Sequence, residues 1–173
     1  KTLRMLFLSS NYRQPIEFSE DVLKNAKNSL QRINDFVMKL EEYKGKKSNP
    51  SISGLVSKAE EDFEEAIDDD FDTAKALAVV FEVVREVNTL MAGEKMSKSD
   101  AKEVLKFIKD VNKIFGIIEG KVSIPKKIKE IIAERNNARK SQEWKKSDEL
   151  RKKLAEMGWL VEDTSEGSRI KKA

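Results

Sequence analysis

The feature that most constrains this chain is the recurrence of apolar side chains at helical spacing. The clearest stripe has members three or four residues apart: Val22, Ala26, Leu30, Ile33, Val37 and Leu40. Such spacing places one apolar face along a helix, and that face must be buried against other helices. Similar stripes recur through residues 55–67, 77–91 and 104–115. The sequence therefore predicts a mainly α fold, beginning with an antiparallel helical bundle.

Polar residues and glycines mark where these helices begin and end. Ser19 is a suitable N-cap for the first long helix, and Asp72 for the helix that follows the acidic interruption at residues 68–71. A polar linker is predicted over residues 45–54, and Gly116 is predicted to end the last bundle helix. These boundaries give four or five helices before the pattern changes.

The composition excludes several kinds of site. With no cysteine and no histidine among 173 residues, the chain has no disulfide, no thiolate or imidazole metal ligand and no thiol nucleophile. No apolar run approaches the roughly 20 residues that span a bilayer, so no membrane partner is expected. The run Asp68–Asp70 lacks further oxygen ligands at a recognisable spacing. We predict no metal site and no catalytic residue.

A small α+β module is predicted in the last third of the chain. One helix is expected to start over residues 123–125, with Pro125 near its first position, and a second to restart at Ser141. Two strands, at residues 159–162 and 168–171, then form a C-terminal β-hairpin around a turn at residues 163–167.

Charge divides the chain at the same place. Residues 1–120, the helical bundle, hold 19 Lys and Arg against 22 Asp and Glu, a net charge of −3. Residues 121–173, the small domain, hold 15 against 9, a net charge of +6. Such asymmetry suggests that the small domain has a polyanion as its partner, although a lysine-rich solvated surface would look the same.

Residues 95–99 spell KMSKS, which resembles the loop that meets the phosphates of ATP in class I aminoacyl-tRNA synthetases. Those enzymes pair it with a second signature, HIGH, which a chain without histidine cannot contain. We therefore interpret the five letters as a polar interhelical loop. Ser99 or Asp100 is expected to cap the next helix, with Asp100 and Glu103 forming a capping box.

Four segments, in order, resemble cysteinyl-tRNA synthetases. Residues 3–13 resemble the family's LRYFLLSxHYR, residues 66–73 its AMDDDFNT, and residues 132–140 its IxERxxARK helix. Residues 150–172 resemble its closing LxxxGxxxEDxxxG segment. The resemblance covers only the C-terminal part of that family, a helical bundle and a small anticodon-binding domain.

The resemblance implies a tRNA-binding part of a cytoplasmic enzyme that joins cysteine to its tRNA. This part would hold no cofactor and would not catalyse, whereas the whole enzyme would use ATP and zinc. Its partners would be the anticodon stem-loop of cysteine tRNA and a catalytic domain upstream in the same chain. The opening residues read as the middle of a helix and lack an initiating methionine, so we expect a segment of a longer protein.

The resemblance also implies an RNA-binding set in the small domain: Arg139, Trp144, Asp148, Asp163, Arg169, Lys171 and Lys172. Its first four members fall where the family contacts its guanine-cytosine-adenine anticodon, and the other three near the same site or its phosphates. The residue types suit this role, because RNA loops are bound by stacking bases on planar side chains and hydrogen-bonding their edges. Trp144 offers the ring, and Asp148 follows one helical turn later.

A second interpretation stays open at this point, namely a non-catalytic helical protein-interaction module with a basic tail. Trp144 could belong to a core, Asp148 could be an ordinary helix charge, and Asp163 could cap its turn. Exposure of Trp144 and Asp148 on one basic face would favour the RNA interpretation, and burial of both would favour the alternative. Tyr12 and Arg13 could touch the inner face of tRNA, but we expect them to brace the bundle.

Overall fold

The computed structural model describes residues 1–118, 125–164 and 167–172, apart from the side chains at 164, 167, 169, 171 and 172. The chain divides into two compact units, Lys1–Glu119 and Gly120–Ala173. The described helices are α1 (Thr2–Leu8), α2 (Glu20–Glu42), α3 (Ser51–Asp68), α4 (Thr73–Ala92), α5 (Lys98–Phe115), α6 (Lys126–Lys140) and α7 (Trp144–Glu156). The strands are β1 (Trp159–Thr164) and β2 (Gly167–Lys172). The predicted fold class, mainly α with a C-terminal hairpin, is confirmed.

The first unit is a helical bundle built on the apolar stripes. α3 packs against α4, and α5 against both α2 and α3. The stripe of α2 is buried at Ala26, Leu30, Ile33 and Leu40. Phe63 of α3 and Phe115 at the end of α5 meet edge to face, with ring centroids 5.2 Å apart. Burial of these faces supplies the main driving force for the bundle.

Several predicted helix ends of the bundle are confirmed. The hydroxyl of Ser19 accepts from the Val22 amide at 3.3 Å, and the carboxylate of Asp72 accepts from the Lys75 amide at 2.8 Å. Gly116 has φ 59°, the left-handed conformation in which a glycine ends a helix without strain. These capping contacts form within a few residues of sequence, so they can be predicted from the sequence alone.

The linker before α3 is shorter than predicted. α3 begins at Ser51, so the expectation of a linker through residue 54 is wrong. The side-chain oxygen of Asn49 accepts from the Ser51 amide at 3.1 Å. That bond satisfies one free donor of the first helical turn, and Pro50 already has a helical backbone.

The KMSKS letters form the start of α5. Ser97 is its N-cap: its hydroxyl accepts from the Asp100 amide at 3.2 Å, and the Asp100 carboxylate accepts from the Ser97 amide at 2.8 Å. The expected cap at Ser99 or Asp100, and the box between Asp100 and Glu103, are therefore wrong. The same carboxylate also accepts from the Asn49 amide at 2.9 Å. This contact joins the capping box to the linker before α3.

The second unit packs α6 and α7 against the hairpin. Its buried core is Ile128, Ile131, Ile132, Leu150, Leu154, Trp159 and Val161, with Ile170 packed against it. Ser141 does not restart a helix as predicted, because it lies at the end of α6 and α7 begins at Trp144. The strands are longer than expected, and Asp163 pairs with Ser168 inside the hairpin instead of lying in its turn. Ser123 and Ile124, part of the predicted start of α6, lie outside the described residues.

Candidate functional site

The connection between α6 and α7 holds Arg139 and Trp144 close along the backbone. The Gln142 amide donates to the Arg139 carbonyl at 3.1 Å, and the Trp144 amide donates to the Gln142 carbonyl at 3.0 Å. Gln142 adopts φ 60° to make this turn, a conformation uncommon for residues other than glycine. The turn therefore fixes where the end of α6 and the first residue of α7 lie relative to each other.

Trp144 and Asp148 are both exposed. The Trp144 side chain is 57% exposed, and Asp148 follows one turn later on α7. Exposed lysines at positions 145 and 152 lie towards the same side of the helix, whereas Lys146 points away and pairs with Glu134. The indole thus presents a free aromatic face within a unit of net positive charge. This is the arrangement that the RNA interpretation requires.

Asp163 is held by a buried arginine of α6. Arg135, only 1% exposed, donates from Nη1 to Oδ1 of Asp163 at 2.9 Å and from Nη2 to Oδ2 at 2.8 Å. This two-point contact is the strongest geometry that an arginine and a carboxylate can form. It ties strand β1 to helix α6 across 28 residues of sequence.

Further donors complete a network around the same carboxylate. Nη1 of Arg139 donates to Oδ2 of Asp163 at 2.6 Å, and the Ser168 hydroxyl lies 3.2 Å from Oδ1. That hydroxyl also lies 2.6 Å from the side-chain oxygen of Asn136. The Arg135 contact, aided by the charge of Arg139, lowers the pKa of Asp163 from 3.8 to about 2, against the opposing effect of partial burial. Asp163 is therefore ionised at neutral pH.

The structure groups the predicted site residues into two sets. Arg139 and Asp163 are bonded to each other, and Trp144 and Asp148 share a helix. Three more predicted residues, Arg169, Lys171 and Lys172, belong to β2, and their side chains lie outside the described part of the chain.

Sequence reasoning missed the role of Arg135. The sequence places it on the apolar stripe of α6, between Ile131 and Ala138. A charged residue on a buried stripe needs a partner of opposite charge, since a buried charge without one is very costly. The position of Arg135 therefore indicates that it has an acidic partner, but the sequence does not identify Asp163 as that partner.

The acidic loop between α3 and α4 braces the first unit. Asp70 accepts from the Tyr12 hydroxyl at 2.8 Å and pairs with Arg13 at 2.7 Å. These contacts join the segment after α1 to the loop, in agreement with the bracing role expected for Tyr12 and Arg13. Among the described residues, acidic side chains form no group of three placed to hold a metal ion.

No helix within the described residues is both long and apolar enough to cross a membrane.

Two protein families match consecutive parts of the chain. Residues 62–119 match the DALR domain, and residues 122–170 match the cysteinyl-tRNA ligase anticodon binding domain. The second match contains Arg135, Arg139, Trp144, Asp148 and Asp163, the residues that form the arrangement described above.

Curated relatives match almost the whole chain. A protein named cysteine–tRNA ligase from Protochlamydia amoebophila is 35% identical over 98% of this chain, and one of that name from Oenococcus oeni is 36% identical over 98%. A third, from Lachnoclostridium phytofermentans, is 39% identical over 99%. The chain spans only 36–39% of the length of these relatives.

Proposed function

Because the chain belongs to the cysteine–tRNA ligase family, being similar to its anticodon-binding C-terminal region, we propose that it binds the anticodon stem-loop of cysteine tRNA. The small unit makes the contact, with Trp144 stacking on a base. Arg139, Asp148, Asp163 and the basic residues of β2 form the rest of the site.

The activity of the whole protein is part of the proposal. Relatives of this name are longer than the present chain, so ATP, zinc and the catalytic residues would belong to an upstream domain. The role of the present residues is to bind tRNA and to hold it while its 3′ end reaches that domain. The cytoplasm, where tRNA is charged, is the proposed location.

The observation that carries the proposal is the exposure of Trp144. Contact between an exposed indole ring and water is unfavourable, and a ligand that covers the ring removes this cost. In a unit of net charge +6, the covering group that fits best is a nucleic-acid base, which combines a planar face with a nearby phosphate. The exposed carboxylate of Asp148, one turn away, can accept from the amino group of a base.

The test is equilibrium binding to synthetic anticodon stem-loops, with the guanine-cytosine-adenine anticodon and with each base changed. Trp144→Ala should weaken binding to every loop by a similar factor, because stacking is worth about 1–3 kcal/mol per base and is nearly indifferent to base identity. Asp148→Asn should instead weaken binding mainly to the matched anticodon. Phe18→Ala, which removes an exposed ring from the other unit (66% exposed), is the matched control and should change nothing.

Two outcomes contradict the proposal. Unchanged affinity after Trp144→Ala would remove the indole from the interface. Wild-type binding that ignores the anticodon would favour the alternative, a helical protein-interaction module whose basic tail binds no specific RNA.

A further inference from the structure

The exposed face of α5 carries a stripe of lysines. Their positions differ by four, three and four residues, so helix geometry aligns them along one side of the helix. The members of this lysine stripe, all exposed, are Lys102, Lys106, Lys109 and Lys113. The buried residues of α5, among them Val104, Ile108 and Val111, lie on the opposite side. The stripe therefore faces solvent over roughly 16 Å of helix, at about 1.5 Å per residue.

The lysine stripe belongs to a unit whose overall charge is negative. Residues 1–120 have a net charge of −3, and α3 holds one lysine against six acidic residues. By contrast, α5 holds five lysines against three acidic residues, of which Asp100 is buried. Of the helices α2 to α5, α5 alone has more basic than acidic residues. Basic and acidic surfaces are thus segregated within the first unit.

Most of the stripe has no acidic partner. Lys113 pairs with Asp110 at 2.6 Å, and the charge of Lys106 acts on the same carboxylate. Within the described residues, Lys102, Lys106 and Lys109 form no ion pair. Like charges one helical turn apart repel each other and destabilise a helix. A polyanion bound along the stripe would remove this repulsion.

We propose that the lysine stripe binds the phosphate backbone of a base-paired stem of the tRNA, outside the anticodon stem-loop. The proposal rests on the function proposed above, and it adds an RNA contact in the first unit to the anticodon contact of the small unit. A lysine ammonium is a compact charge that suits a phosphate, but it lacks the planar fork that reads a base edge. The stripe therefore contributes affinity and orientation without sequence specificity.

Other negatively charged partners fit the stripe less well. A helix that lies on a membrane inserts its apolar face, but the apolar face of α5 is buried in the bundle. Protein interfaces are depleted in lysine. Single-stranded RNA is held by stacking its bases on aromatic rings, and both aromatic residues of α5, Phe107 and Phe115, are buried. A base-paired stem exposes its phosphates and stacks its bases inside, so it needs only positive charge from its partner.

The experiment compares a transcript of the intact cysteine tRNA with its anticodon stem-loop, each titrated against the 173-residue chain. The test variant combines Lys102→Gln, Lys106→Gln and Lys109→Gln. It should bind the intact tRNA about 10- to 100-fold more weakly near physiological salt, because up to three phosphate contacts are lost. The log-log salt slope should become shallower by about 2 to 3 for the same reason. Its affinity for the stem-loop alone should equal that of the wild type.

A matched control removes the same charge from another helix of the first unit. Lys24→Gln combined with Lys27→Gln and Lys39→Gln changes three exposed lysines of α2. This control should leave the affinity for intact tRNA and its salt slope close to the wild-type values. Glutamine and lysine have similar helix propensities, and thermal melting followed by circular dichroism checks that both variants are folded.

Phosphate footprinting identifies the part of the RNA that the stripe contacts. The wild-type chain should protect phosphates in one stem of the intact tRNA from alkylation. The α5 variant should lose that protection while the anticodon loop stays protected. This result would separate the stem contact from the anticodon contact on the same RNA.

Three results would overturn the proposal. Unchanged affinity of the α5 variant for intact tRNA would leave an acidic protein surface as the partner of the stripe. An equal loss in the α2 control would show that only net charge matters, and an equal loss with the stem-loop alone would exclude a contact with another stem. Wild-type binding that does not depend on the anticodon, with a loss confined to the α5 variant, would support the stripe and defeat only the function proposed above.

Discussion

At the scale of single residues, the charge of Asp163 is set by the groups around it. Arg135 and Arg139 hold its pKa at about 2 in the folded protein, against 3.8 for an unperturbed carboxyl. Since the folded pKa is the lower one, acid protonates the unfolded chain first. The stabilising effect of the ionised group is therefore complete above pH 3.8 and is lost as the pH falls towards about 2.

This behaviour gives a pH prediction for Asp163→Asn. The variant should melt at a lower temperature than the wild type at neutral pH, and the gap between them should narrow as the pH falls from 3.8 to about 2. Other carboxyl groups titrate in both proteins, so the difference between the two melting curves isolates Asp163. A gap that stays constant through this range would show that ionisation of Asp163 does not stabilise the fold.

Residue types near the site could be predicted from the sequence, but their contacts could not. Trp144 and Asp148 are four residues apart, so helix geometry alone places them side by side. Arg135 and Asp163 are separated by 28 residues, and their meeting depends on how the hairpin packs on α6. No local pattern contains that information, and the expected placement of Asp163 in a turn failed for the same reason.

At the scale of the element, a single capping signal was predictable, but the choice between neighbouring capping residues at one helix start was not. Ser19 and Asp72 cap their helices through residues three positions away. The start of α5 is different, because Asp100 bonds both to Ser97 and to the Asn49 amide, 51 residues away. Burial raises the pKa of Asp100 and these hydrogen bonds lower it, with the net shift downward.

The start of α5 supports a prediction about the KMSKS letters. Asp100→Ala should destabilise the protein by on the order of 2 kcal/mol, since it removes a cap and leaves the Asn49 amide without its acceptor. Lys95→Ala and Lys98→Ala, which change exposed side chains, should each shift stability by less than about 0.5 kcal/mol. Urea unfolding of the three variants measures these changes in the free energy of unfolding.

The lysine variants also test the role of the KMSKS letters. Neither Lys95→Ala nor Lys98→Ala should alter binding to the anticodon stem-loop, because both lysines belong to the first unit. A marked decrease of RNA affinity in either variant would contradict the interpretation of these letters as a structural helix start.

At the scale of the whole molecule, the two units carry opposite charge. The first has a net charge of −3 over residues 1–120, and the second +6 over residues 121–173. Binding to RNA should therefore weaken with salt, with a log-log slope of about −0.7 for each phosphate contacted on a single strand.

This asymmetry predicts which lysines affect the salt slope. Lys145→Gln with Lys152→Gln, on exposed positions of α7, should make the slope shallower by about 0.7 for each phosphate that the variant no longer neutralises. Lys24→Gln with Lys27→Gln, equally exposed on α2, removes the same charge from the first unit and should leave the slope unchanged. If both pairs of substitutions changed the salt slope equally, RNA binding would depend only on the overall charge of the chain.

The contact between the start of α5 and the linker before α3 has a consequence for proteolysis. The linker is polar and contains lysines at positions 44, 46 and 47, which would mark it as an easy site for trypsin. Three contacts nevertheless hold it in place. Lys46 and Ser97 form an isolated β-bridge, the Lys98 amide donates to the Gly45 carbonyl at 2.8 Å, and the side-chain amide of Asn49 donates to the Lys95 carbonyl at 3.0 Å. A protease must pull a cleavage site into an extended strand of its own. The capping box of α5 therefore also shields a connection that composition alone would class as exposed to cutting.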